Sequence, residues 1–222
     1  MHLPLNQLKF IQNKVNEIIN TKQLKTKPEI IVVTKTFSLD KIIPIIDSGH
    51  SHFGENKIQE AEEKWSEIKN SNKNIKLHML GKLQTNKVKK ALKLFDYIHS
   101  LDNEKLAIKI SHLQNELNKR IKLFIQINLA NEYQKSGINL NNIDEFYNFC
   151  VKELSLNIIG LMCLPPLNHD SDKYFKILKK ISDNLNIKEL SMGMSSDFEN
   201  AIINGSTFLR LGSLIMGDRK TI

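Results

Sequence analysis

Short apolar runs alternate with amphipathic helical segments along nearly the whole chain, and this alternation restricts the fold more than any other feature. The candidate strands are Ile30–Thr34, His52–Gly54, Lys76–Leu80, Tyr97–Ser100, Lys122–Asn128, Asn157–Met162, Glu189–Met192 and Thr207–Leu211. Between them, Leu39–Ser48, Lys57–Ile68, Gln84–Leu94, Lys105–Leu117, Ile143–Leu154, Lys173–Leu185 and Asp197–Ile203 carry apolar residues at helical spacing. Parallel neighbours cannot be joined by a tight hairpin, so strand-then-helix repetition implies a parallel sheet with helical crossovers. Eight such strands behind a helix over Leu5–Ile19 predict a closed (β/α)8 TIM barrel with an extra N-terminal helix, with an open doubly wound sheet as the alternative. No composition break or low-complexity linker divides the 222 residues, so one domain over 1–222 is expected.

The formal charge of +8 comes almost entirely from lysine, Arg120, Arg210 and Arg219 being the only arginines. Nucleic-acid binders cluster arginine with exposed aromatics, whereas Lys82, Lys87, Lys89, Lys90 and Lys93 fall at helical spacing and read as a solvated face. A nucleic-acid partner is not expected, an RNA-binding role being the remote alternative. Cys150 and Cys163 show neither metal-ligand spacing nor a disulfide framework and read as buried thiols of a reducing compartment. No apolar run reaches membrane length and no signal core follows Met1, so a cytoplasmic protein without a membrane partner is expected. His50 and His52 share a strand face but lack a third ligand, so no metal is expected. His78 and His99 read as hydrogen-bonded core groups.

Active sites of this barrel gather at the C-terminal ends of its strands. Thr34-Lys35-Thr36, Gly54-Glu55-Asn56, Gly81-Lys82-Leu83-Gln84 and Ser100-Leu101-Asp102 follow the first four strands and converge on that mouth. After the seventh strand, Ser191 to Glu199 passes through small residues into Ser196-x-x-Glu199, a capping-box pattern whose helix start offers unpaired N–H groups to an anion. After the eighth, Gly212-Ser213 combines close backbone approach with a hydroxyl donor. Consecutive turns of this kind form a phosphate cradle. Lys35, at the end of an apolar strand, either snorkels to solvent or is desolvated toward a reactive neutral amine. Beside a phosphate cradle the second reading is preferred, because aldehyde capture and phosphate binding together are what a pyridoxal 5′-phosphate (PLP) site requires. Arg210 lies two residues before Gly212 and would present donors to a pyridine nitrogen, or else form a salt bridge to Glu55 or Asp102.

The motifs Val33-Thr-Lys-Thr36, His52-Phe-Gly-Glu-Asn-x-x-Gln-Glu60, His78-x-x-Gly-x-Leu-Gln-x-Asn-Lys87, Ile98-His-Ser-Leu-Asp102, Lys135-Ser-Gly137, Gly160-Leu-Met-Cys-x-Pro-Pro166, Leu190-Ser-Met-Gly-Met-Ser195 and Arg210-x-Gly212 cover most of the chain. Together they resemble the YggS/PROSC family of pyridoxal phosphate homeostasis proteins. The resemblance implies a barrel like the N-terminal domain of alanine racemase, with PLP held by Lys35 as an internal aldimine (a Schiff base). It also implies Asn56 near the cofactor ring, Arg210 facing the pyridine nitrogen, Ser195, Gly212 and Ser213 on the phosphate, and Met194 and His78 lining the pocket. The expected function is to hold, buffer or deliver PLP, in vitamin B6 homeostasis, with little or no turnover. The expected partners are PLP-requiring apoenzymes and free amino acids, and the expected state is a monomer. A PLP-dependent racemase on the same barrel is the alternative, although no second base opposite Lys35 is evident. The sequence ends soon after the eighth strand, so the racemase's C-terminal β-domain is not expected. Lys57 and Lys82 depart from the family pattern and add positive charge near the mouth.

Overall fold

The computed structural model describes residues 3–130, 136–166 and 170–218. Lys135 of the Lys135-Ser-Gly137 motif and Arg219 therefore lie outside the described residues. Helix α1 (Leu3–Thr21) precedes β1 (Glu29–Val33), α2 (Leu39–Asp47), β2 (His52–Glu55), α3 (Ile58–Ser71), β3 (Lys76–Met79), α4 (Val88–Leu94), β4 (Tyr97–Leu101), α5 (Glu104–Glu116) and β5 (Lys122–Asn128). There follow β6 (Ile138–Asn139), α6 (Ile143–Asn148), β7 (Ile158–Cys163), α7 (Ser171–Asn184), β8 (Glu189–Ser191), α8 (Phe198–Ile203), β9 (Phe208–Leu211) and α9 (Ser213–Met216). The order β4-β3-β2-β1-β9-β8-β7-β5, closed by a β4–β5 pairing, makes an eight-stranded parallel barrel. The open-sheet alternative is thereby excluded. The two-residue β6, not foreseen from sequence, adds to β5 outside the ring. The single helix expected over Ile143–Leu154 is α6 continuing into a π-helical turn, Phe149–Glu153.

Pleating divides each strand between two layers. Ile30, Val32, Phe53, Leu77, Ile98, Leu123, Ile125, Leu161, Leu190, Leu209 and Leu211 face outward and form one apolar layer with the helices. Helix α1 joins it through Leu8, Ile11 and Val15, spaced to lie on one face, and packs against α2, α8 and α9. The basic run on α4 is a solvated face, with Lys89 paired to Glu116 and Lys90 to Glu62 at 2.7 Å. Burial pushes the thiols of Cys150 and Cys163 up to about 12, which leaves both as inert packing groups. No described helix is long and apolar enough to cross a membrane.

The inward residues Ile31, Tyr97, Phe124, Met162 and Phe208 fill the barrel, joined by the fully buried rings of His78 and His99. His78 stacks on Tyr97 and His99 on Phe124, each pair with ring centroids 4.2 Å apart. His78 Nδ1 lies 2.9 Å from His99 Nε2, and His78 Nε2 lies 2.9 Å from His52 Nδ1. Burial, and for His99 next the Arg210 charge, holds both rings well below the usual imidazole range, so the native rings are neutral. This gives stability a direction with pH. Below pH 6.5 the unfolded histidines bind protons that the folded barrel refuses, so stability falls as pH falls. With both rings neutral throughout, the loss between about pH 6.5 and about pH 5.5 is about 1 kcal/mol per ring. Urea unfolding at these two pH values checks it; unchanged stability would mean that the rings charge in the native state.

Candidate functional site

A cavity of about 710 Å³ opens at the C-terminal ends of the strands, where barrel sites are built. It is lined by Lys35 after β1, Asn56 after β2, Leu80 after β3, Met162 and Leu164 from the end of β7, Met194, Ser195 and Ser196 after β8, Arg210 on β9, and Gly212 and Ser213 beyond it. Val33, Phe37, Gly217 and Asp218 complete the wall. Seven of the eight residues singled out from sequence therefore meet here: Lys35, Asn56, Met194, Ser195, Arg210, Gly212 and Ser213. His78 does not. Its inward position on β3 buries it completely in the barrel, where both ring nitrogens are engaged by other histidines.

Lys35 is fixed through the backbone on either side of it. The Lys64 ammonium donates to the Thr34 carbonyl at 2.8 Å, and the Thr34 hydroxyl donates to Glu55 Oε1 at 2.7 Å. The same oxygen accepts from Lys64 at 2.9 Å and from the Trp65 indole at 2.9 Å. Glu55 was expected at the mouth, but the pleat of β2 turns it outward, fully buried against α3. On the other side of Lys35, Thr36 has φ +67°, a left-handed conformation that a β-branched residue rarely adopts, and its N–H donates to Glu60 Oε1 at 2.5 Å. This anchoring from α3 was not foreseen from sequence. Asn56 is held by close packing, since a Cβ on Gly81 would come within 2.2 Å of the Asn56 carbonyl oxygen.

The two expected phosphate turns touch each other: the Leu214 N–H, at the start of α9, donates to Ser195 Oγ at 3.4 Å. Because Ser195 accepts there, its hydroxyl hydrogen remains to donate elsewhere. Gly193, with φ +91°, turns the chain between β8 and Ser195, and its carbonyl accepts from the Arg210 N–H at 2.9 Å. A Cβ on Gly212 would meet nothing closer than Val33 Cβ at 3.6 Å, so the volume a side chain would occupy belongs to the cavity. The expected capping box is not formed. Helix α8 begins at Phe198, Asp197 takes the cap position and accepts from the Met194 N–H at 2.6 Å, and Glu199 turns outward to pair with Lys14. Ser196 is thereby left on the cavity wall.

Arg210 is 5% exposed. It donates to Ser191 Oγ at 2.8 Å and to the Cys163 carbonyl at 2.8 Å, both neutral acceptors. No carboxylate among the described residues forms an ion pair with it. Glu55, one partner weighed from sequence, pairs with Lys64 instead, and Asp102 accepts from Asn103. Burial lowers the guanidinium pKa, with Cys163 and Asp197 opposing the shift, and an arginine remains charged even so. A guanidinium has five N–H donors, and these two bonds leave others to face the cavity. The arrangement fits a ligand with an acceptor at Arg210, an electrophile at Lys35 and an anion at Ser195 and Gly212. Among the described residues, no group of three or more His, Cys, Asp or Glu is placed to hold a metal.

The chain matches the family described as alanine racemase, N-terminal domain, over residues 8–220. It is 35% identical over 219 residues to a pyridoxal phosphate homeostasis protein of Synechocystis, covering 95% of this chain and 99% of that one. The chain belongs to this family. A second member, from Aquifex aeolicus, is 33% identical and covers 86% of this chain and 87% of the relative. Among solved structures, PipY of Synechococcus elongatus with PLP bound is 30% identical and superposes with a TM-score of 0.79, over 91% of this chain and all of that one.

Lys35 follows closely on the end of β1, so the clamp beneath it has a measurable energetic role. Removing one partner of a buried ion pair leaves the other charge without compensation, which costs about 3–5 kcal/mol. Lys64→Ala is expected to destabilise the fold by about that amount, and Lys64→Met combined with Glu55→Gln by clearly less. Denaturant unfolding of both proteins measures the difference, and equal losses would remove the ion pair from the account of Lys35.

Proposed function

We propose that this protein binds PLP through Lys35, holds it at the barrel mouth and releases it to PLP-requiring apoenzymes, with little or no amino-acid turnover of its own. The observation that carries this reading is Arg210, a buried cation among neutral acceptors with donors to spare beside Lys35 and the serine-glycine turns. The PLP bound in PipY and the names of the homeostasis relatives support it. When bound, PLP supplies an aldehyde for amine capture and a pyridine ring whose electron-withdrawing power depends on the protonation of its nitrogen. Lys35 would hold the group by supplying the amine for that capture. Ser195, Ser213 and the backbone at Gly212 donate to the phosphate, Asn56 lies beside the ring, and Met194 closes one wall. Arg210 donates to the ring nitrogen and cannot take a proton from it, so it favours the unprotonated ring.

Two features favour holding over turnover. Among the described lining residues, no tyrosine, histidine or cysteine stands as a second base for Lys35. In addition, Arg210 favours an unprotonated ring, which is a poorer electron sink. The strand ends of one barrel supply Lys35, Asn56, Ser195, Arg210 and Ser213, which supports a site that works in a monomer, and a cytoplasmic setting suits delivery to apoenzymes. Free amino acids are then ligands that compete with Lys35 for the aldehyde.

Borohydride treatment of the loaded protein is expected to fix one cofactor on the peptide containing Lys35, with Lys35→Ala folded but unlabelled. Label on Lys57 or Lys82 would overturn the assignment. Wild-type protein is expected to exchange the α-hydrogen of alanine for deuterium negligibly. An Arg210→Glu variant that still binds cofactor is expected to exchange it measurably faster, with NMR following both. Rapid exchange by the wild type would favour the racemase reading.

A further inference from the structure

Arg210 is oriented by Ser191, and Ser191 is itself oriented by a histidine that touches neither the guanidinium nor the cavity. Ser191 Oγ accepts from Arg210 at 2.8 Å and lies 2.8 Å from His99 Nδ1, and both residues are fully buried. Arginine can only donate, so the Ser191 oxygen must accept from it. Among the described residues, the one remaining partner for the serine hydrogen is His99 Nδ1. If Nδ1 carried a hydrogen, Ser191 would accept twice and its own O–H would be buried without an acceptor, at a cost in stability. The network therefore assigns the hydrogen of His99 to Nε2, which donates to His78 Nδ1. His78 in turn donates from Nε2 to His52 Nδ1. One cation sets the direction of every bond along the run, and stacking on Phe124 and Tyr97 keeps the two buried rings in line.

We infer that His99 is a positioning residue for Arg210: by accepting the Ser191 hydroxyl hydrogen, it stops that hydroxyl from rotating and keeps its lone pair on the guanidinium. Among the described residues no carboxylate forms an ion pair with Arg210, so two neutral acceptors decide where its remaining N–H groups point. The Cys163 carbonyl is fixed by the β7 backbone. Ser191 is the one that can turn, and His99 removes that freedom. The consequence falls on the atom that Arg210 serves, the ring nitrogen of the cofactor, and so rests on the proposed PLP site.

The test compares equilibrium binding of PLP with that of an analogue carrying carbon in place of the ring nitrogen, which keeps the aldehyde and phosphate but cannot accept from Arg210. Wild-type protein is expected to prefer PLP by about tenfold or more, as for a hydrogen bond from a charged donor. His99→Phe retains a ring to stack on Phe124 but accepts nothing. It is expected to reduce that preference several-fold while binding of the analogue changes little. His99→Asn, whose amide oxygen can accept from Ser191, is expected to restore most of the preference. A general loosening of the barrel would weaken both ligands in proportion, and an unchanged ratio in His99→Phe overturns the inference. Should His99→Phe fail to fold, Ser191→Ala takes its place, with the same loss expected and the same unchanged ratio decisive against it. A wild type that binds PLP and the analogue equally, or does not bind PLP, overturns the proposed site as well, so the two failures are distinguishable.

Discussion

Closing a parallel sheet into a ring creates an interior that must be filled, and how it is filled decides where a ligand can sit. Here Ile31, Tyr97, Phe124, Met162 and Phe208 occupy the interior together with His78 and His99, and the packing ends at Arg210. That boundary is chemical as well as steric. Below it, polar atoms are paired in a closed sequence of neutral groups, whereas at Arg210 a full charge is buried against two neutral acceptors. A buried cation without a counterion is costly unless something anionic or strongly accepting completes it. The barrel thus carries a floor that is finished and a mouth that is not.

The second constraint acts from outside the ring. Glu55, Lys64 and Trp65 meet between β2 and α3, and all three donors to Glu55 converge on one carboxylate oxygen while the other, fully buried, has no partner. One-sided bonding of this kind fixes direction better than it maximises bond number. It ties the Thr34 carbonyl to a helix rather than to the next strand, just where β1 ends. With Thr36 held in a left-handed turn by Glu60, the strand end has little freedom to move Lys35 away from the mouth. Placement of the lysine is therefore a property of α3 as much as of β1.

Much of this was legible in the sequence, and the exceptions have physical causes. Strand β5 is read residue for residue as Lys122–Asn128, because a long apolar run between polar segments has few competing interpretations. The eightfold alternation fixes the barrel, and the barrel fixes which strand ends share a mouth, which is why Lys35, Asn56, Ser195 and Arg210 could be grouped without a contact map. Which pleat faces inward is harder, since strands buried on both faces show no alternation. That ambiguity misplaced Glu55 toward the mouth. His78 does face inward, as a buried core group, and not onto the cavity wall where the family resemblance put it. The capping box failed for a local reason: Asp197, one residue beyond Ser196, offers a carboxylate to the Met194 N–H, and the helix starts after it. The histidine run needed the register of two strand pairs, with Gly54 opposite His78 and His78 opposite Tyr97, and no pattern within one segment encodes that.

The two constraints meet at a site that discriminates by the type of atom presented. Arginine at the floor selects for an acceptor, since it offers only donors and cannot yield a proton at ordinary pH. Serine hydroxyls and a glycine-opened backbone at the rim select for an anion with several oxygens. The lysine selects for an electrophile, but only one that reaches it with the other two contacts already in register. Each contact alone is modest and tolerates many ligands, whereas the three on rigid strand ends admit few. In such a site, binding energy spreads over separated points of one ligand, so the shape of the whole ligand, and not any single group, decides what binds. A carboxylate where Arg210 stands would favour a protonated ring nitrogen instead. The neutral run of Ser191, His99 and His78 beneath it would then have no cation to set its direction.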